Sequence, residues 1–94
     1  MAEAMQRLVP RPFSLHWGDG QIVEEATYVG RYHEPSIQLL EFEDGSLEIR
    51  FCHYNHAGRF QRSPLIVGEE GISGLRKALA STPRLRALLR EMVG

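Results

Sequence analysis

Residues 37–67 read IQLLEFEDGSLEIRFCHYNHAGRFQRSPLIV, and two turn signals inside this stretch decide the fold. Asp44-Gly45 and Asn55-His56-Ala57-Gly58 separate three strand-like runs. Asp-Gly between alternating apolar residues is a strong hairpin signal, because a type I′ turn needs positive φ at both central residues. The stretch therefore predicts a three-strand antiparallel meander. A two-residue Asp44-Gly45 loop would set Phe42 opposite Leu47 and Leu40 opposite Ile49. Strand periodicity then puts Leu40, Phe42, Leu47, Ile49 and Phe51 on one apolar core face. Leu39, Glu41, Glu48, Arg50 and Cys52 fall on the other. Glu41 and Glu48 would oppose each other there, with Arg50 as the relieving diagonal neighbour.

On the N-terminal side, Phe13, Leu15 and Trp17 alternate with Ser14 and His16, the pattern of a short strand. Gly18-Asp19-Gly20 reads as the following turn, being too isolated to cradle phosphate. Gln21 to Tyr32 reads as a second strand with mixed parity, which predicts a bulge near Glu24-Glu25 or at Gly30. His33-Glu34-Pro35-Ser36 reads as a loop. Residues 1–12 read as a loose lead-in with Pro10 and Pro12 bracketing Arg11.

On the C-terminal side, Pro64 interrupts the third meander strand, because proline lacks the donor that a central ladder needs. Glu69 and Glu70 suit the positive end of a helix, and Ile72, Leu75, Ala78 and Leu79 form a helical stripe. Gly71 and Gly74 weaken its first turn, so its firm part is expected nearer Ser73. Ser81-Thr82-Pro83 restarts a second helix, with Thr82 as cap and a stripe of Leu85, Leu88, Leu89 and Met92. Strands first and two short helices last predict an α+β domain. Its antiparallel sheet has about five strands, with both helices packed on one face. Together with the meander residues Leu40 to Phe51, Ile72, Leu75, Leu79, Leu85, Leu88 and Leu89 are expected in one core.

The 94 residues suffice for a single domain with a modest core. The net charge of −1 hides an asymmetry between an acidic residue 1–48 half and a basic residue 49–94 half. Ten of the eleven basic residues are Arg. The lone Cys52 excludes an internal disulfide and, with no signal peptide, points to the cytoplasm. No apolar run is long enough for a membrane span.

No residue set supports catalysis, a metal or a cofactor. His16, His33, His53 and His56 lack the paired spacing of a zinc site. Cys52 and His53, as strand neighbours, point to opposite faces and cannot form a nucleophilic pair. A non-enzymatic role is therefore expected. Residues 50–62 interleave basic and aromatic side chains around a hairpin, the chemistry of single-stranded nucleic-acid binding. Tyr54 is the expected stacking ring, and Arg50, Arg59 and Arg62 the expected phosphate contacts.

Ile49-Arg50, Tyr54, Gly58, Gly71-Ile72 and Leu75 occur in an order that resembles the transcriptional-positive-cofactor and Whirly-like group of single-stranded-DNA-binding proteins. The resemblance spans about Ile37 to Ala80. It implies a curved sheet of four or five strands, a helix-mediated homodimer and nucleic-acid contact on the open sheet face. Three features depart from the group: the surface is not lysine-rich, the N-terminal half is acidic, and a second helix, Pro83 to Val93, follows the first. The alternative function is a homodimeric protein–protein interaction module. In that reading the C-terminal helices carry the contact, and the acidic and basic halves provide self-complementarity.

Overall fold

Five strands and two helices form within residues 7–94, which this computed structural model describes. The strands are β1 (Arg11–Leu15), β2 (Gly18–Thr27), β3 (Glu34–Phe42), β4 (Leu47–Tyr54) and β5 (Leu65–Gly68). The helices α1 (Glu69–Leu79) and α2 (Pro83–Val93) follow. The sheet is an antiparallel meander in the order β1-β2-β3-β4-β5, so the chain is a small α+β domain.

The central hairpin closes differently from the sequence expectation. Gly45 N–H donates to the Phe42 carbonyl and Phe42 N–H to the Ser46 carbonyl, both at 2.9 Å. Gly45 has φ +88°, and Asp44 does not share the positive φ of a type I′ turn. Instead the Asp44 carboxylate accepts from the backbone N–H and the hydroxyl of Ser46, at 2.9 and 2.6 Å. The loop is thus Glu43-Asp44-Gly45, one residue longer than expected. The pairing becomes Leu40 with Glu48, Leu39 with Ile49 and Gln38 with Arg50. A one-residue slip moves a whole strand's side chains to the opposite face. Leu47, Ile49 and Phe51 therefore leave the face of Leu40 and Phe42, while Glu48, Arg50, Cys52 and Tyr54 join it. The second hairpin repeats the geometry, with Gly58 at φ +84° and Asn55 Oδ1 accepting from the N–H groups of Ala57 and Arg59 at 2.9 Å.

Other boundaries shift for local reasons. Leu15 pairs with Gly18, so His16-Trp17 makes the first turn and Gly18-Asp19-Gly20 opens β2. Gly20 lies too close to the β3 backbone at Glu41 and Phe42 to carry a Cβ. The expected β2 bulge falls between Ile22 and Glu24. Glu34-Pro35-Ser36 is strand, not loop, and pairs with Tyr54, His53 and Cys52. Pro64 does break the third meander strand. Ser63 turns at φ +63°, and β5 keeps four residues. Helix α1 begins at Glu69 rather than Ser73, and Thr82 takes the N-cap position of α2 as expected, but its hydroxyl donates to the Leu79 carbonyl at 3.2 Å and makes no capping bond. Of the expected lead-in, residues 1–6 lie outside the described residues, whereas Arg11 and Pro12 already belong to β1.

Directly paired residues share a sheet face. One face gathers Phe13, Ile22, Leu40 and Phe42 as the buried core, with Leu15 and Ile66 packed against it. Phe13 and Phe42 meet edge to face at 5.0 Å. The sheet curls enough for Arg11 on β1 to reach the Tyr54 hydroxyl on β4 at 3.1 Å. The opposite face carries two cross-strand apolar rows, Leu39–Ile49–Val67 and Ile37–Phe51–Leu65. Helix α1 meets the sheet along β5, its first turn beside Val67. The expected common core of sheet and helices is not formed within the chain. Neither helix buries a residue, and Ile72, Leu75, Leu85, Leu88, Leu89 and Met92 are all exposed.

Candidate functional site

The curled face has an apolar half and a polar half. The polar half centres on Gln38, which is 1% exposed. Its amide donates to Glu25 Oε2 at 2.7 Å and to the Tyr54 hydroxyl at 2.9 Å. Its carbonyl oxygen accepts from Arg50 Nε at 2.7 Å. Glu25, with a side chain 3% exposed, also accepts from Arg11 at 2.8 and 3.2 Å and from Ser36 at 2.7 Å. Buried polar groups are tolerated when they are this fully bonded.

Burial opposes ionisation of Glu25, but the hydrogen bonds from Arg11, Gln38 and Ser36 outweigh it and hold the carboxyl at about 2. The Glu25 hydrogen bond in turn raises Arg11. Burial pushes the half-buried Cys52 thiol up, against the pull of nearby Arg50. At neutral pH Glu25 stays ionised and Cys52 stays protonated. Neither group is poised to exchange a proton there, and the network's chemistry is that of a tie between β1, β2, β3 and β4.

The four residues expected at the nucleic-acid site divide into two pairs. Tyr54 and Arg50 are buried at 7% and 8% exposure. Arg7 stacks 3.6 Å from the Tyr54 ring centroid, and Phe60 packs edge-on to the same ring at 5.4 Å. Arg50 sits 4.8 Å from the Phe60 ring and makes no ion pair among the described residues. Arg59 and Arg62 are exposed beside the turn. The hairpin therefore presents two exposed arginines without the stacking ring, and Glu41 and Glu48 lie on opposite faces rather than amid them.

Among the described residues, no three His, Cys, Asp or Glu side chains converge as a metal site would require. His33 and His53 meet edge to face at 5.0 Å. His56 bridges the Arg31 carbonyl at 3.1 Å and Glu34 at 3.2 Å, and both contacts raise its pKa. No helix among the described residues is long and apolar enough to cross a membrane.

The sequence assigns Arg11, Glu25, Ser36 and Gln38 no part in a site. One signal was available for two of them: Ser36 and Gln38 share the parity of Leu40 and Phe42, so polar residues were due on the core face of β3.

The remaining surface feature is apolar. The stripe Leu85–Leu88–Leu89–Met92 lines an open groove of about 470 Å³ on α2. A second groove of about 400 Å³ lies on the sheet face away from the core, where Ala26, Ile37, Leu39 and Ile49 contribute to its walls. Leu88 is 65% exposed and Leu65 is 59% exposed. Comparison with family models, curated proteins and solved structures found no match to this chain.

Proposed function

We propose that the chain is a non-enzymatic, homodimeric protein–protein interaction module whose C-terminal helices carry the contact. The observation that carries this reading is that two amphipathic helices bury no residue of their own. Apolar stripes on surface helices normally face a core, and monomeric proteins rarely expose contiguous apolar patches of this kind.

The surface area supports the same reading. A folded monomer of this mass exposes roughly 5500 Å², whereas this chain exposes 7463 Å². Setting aside roughly 1000 Å² for residues 1–6, the most that six residues expose, leaves a surplus of just under about 1000 Å². A standard interface takes about 800 Å² from each partner. The surplus is therefore of interface size.

Weak single-stranded nucleic-acid binding at the hairpin is the second reading. It keeps the exposed Arg59 and Arg62, but Tyr54 and Arg50 are committed to internal contacts.

Sedimentation or light scattering at micromolar concentration tests the proposal. The native chain should run at twice the 10.7 kDa chain mass, and Leu88→Glu should reduce it to the monomer. A native species of 10.7 kDa would remove the proposal.

A further inference from the structure

A helix pair needs a surface to sit on, and the molecule offers one it does not use itself. The sheet face opposite the core carries the rows Leu39–Ile49–Val67 and Ile37–Phe51–Leu65. In the single chain only Val67 of these six is buried, by the first turn of α1. Phe51 and Leu65 are exposed.

The charges around this face have one sign. Register places Glu24 with Leu39, and Glu41 with Leu47, on the same side of the sheet as the apolar rows. Both glutamates are exposed, and no Lys or Arg of β2–β5 shares that side. The flanks of the helix stripes are basic on balance. At 100° per residue, Arg76 and Glu69 flank the Ile72–Leu75–Leu79 stripe, and Arg84, Arg86 and Glu91 flank the Leu85–Leu88–Leu89–Met92 stripe. All three arginines are exposed, and none makes an ion pair among the described residues. One chain thus holds an acid-rimmed apolar sheet face and an apolar helix face whose flanks are basic on balance, three arginines to two glutamates, and within the chain the two scarcely meet.

The dimensions agree. An 11-residue helix is about 16 Å long, and three strands span about 10 Å between outer axes, roughly 14 Å across. Packed helices lie 8–10 Å apart. A helix of this length and about 10 Å in diameter, laid across the three strands, would cover much of the β3–β5 patch.

We infer that the occupant of this sheet face is the helix pair of a second copy of the chain, exchanged reciprocally about a two-fold axis. The inference rests on the homodimer proposed above and adds which surfaces meet. Each copy then lays its basic-flanked leucine stripe across Leu39, Ile49, Phe51 and Leu65 of the other. Such an isologous arrangement uses both faces twice and leaves neither open. It differs from a dimer in which helices pair only with helices, since that would leave both sheet faces exposed.

The test uses two full-length variants, each altered only at exposed positions. One carries Arg84→Glu/Arg86→Glu, the other Glu24→Arg/Glu41→Arg. Circular dichroism and thermal unfolding confirm that each is folded. Like charges across an interface should weaken each variant's self-association about tenfold or more relative to the native chain. Mixed one to one, the variants should recover dimer, because both reciprocal contacts then join opposite charges. Sheet-variant dimerisation equal to that of the native chain would overturn the inference and favour helix-to-helix pairing. Failure of the mixture to recover would overturn it too. In both outcomes a native dimer leaves the homodimer proposal standing, whereas a native monomer removes both.

Discussion

Gln38→Leu removes the centre of the buried network while keeping nearly the same volume. Gln38 makes three hydrogen bonds: to Glu25, to the Tyr54 hydroxyl and from Arg50 Nε. Two have charged partners, worth about 1.5–3 kcal/mol each, and the third is neutral, worth about 1 kcal/mol. The leucine recovers about 1–2 kcal/mol through apolar burial. Glu25 keeps Arg11 and Ser36, but the buried Arg50 loses the amide acceptor of its Nε–H. The net loss should be roughly 3–5 kcal/mol, a large share of the stability of a small domain. The assay is urea unfolding at one fixed chain concentration, followed by Trp17 fluorescence and circular dichroism. A second variant separates network loss from general damage. In Gln38→Leu/Arg50→Leu the stranded charge is gone, so the double variant should be more stable than the sum of the two single losses implies. A Gln38→Leu loss below about 1 kcal/mol would refute the reasoning, as would strict additivity in the double variant.

Stability should also depend on acid through Glu25. Its folded carboxyl is held at about 2 against an ordinary 4.5, so the stabilisation is complete above about pH 4.5 and is lost as pH falls towards 2. The shift corresponds to about 3 kcal/mol, and Glu25→Gln should flatten that part of the stability–pH curve measured by urea midpoints. Two glycines should respond oppositely to alanine. At Gly20 a Cβ collides with the β3 backbone at Glu41 and Phe42, so Gly20→Ala should lower the thermal midpoint by several degrees or abolish folding. At Gly74 a Cβ meets nothing, so Gly74→Ala should stabilise α1 by about 0.5–1 kcal/mol.

The sequence by itself determined the order of elements. Turn residues and apolar periodicity are local, and they sufficed for five strands, a break at Ser63-Pro64 and two helices at Ile72–Leu79 and Leu85–Met92. It also exposed the acidic and basic halves of the chain. The pairing register was not local. Asp44-Gly45 supports a two-residue or a three-residue loop, and the two hydrogen bonds that Ser46 donates to the Asp44 carboxylate favour the longer one. That single residue exchanged the faces of β4, moving Ile49 and Phe51 out to the open face and Arg50 and Tyr54 into the buried network. The network itself was a tertiary outcome, because Arg11, Glu25, Gln38 and Tyr54 come from four different strands and meet only when the sheet curls. The tertiary structure also decided where the leucine stripes point. Periodicity shows that a helix has an apolar face, but only the path of the chain after Gly68 decides what that face meets, and here it leaves the stripes of α1 and α2 in solvent.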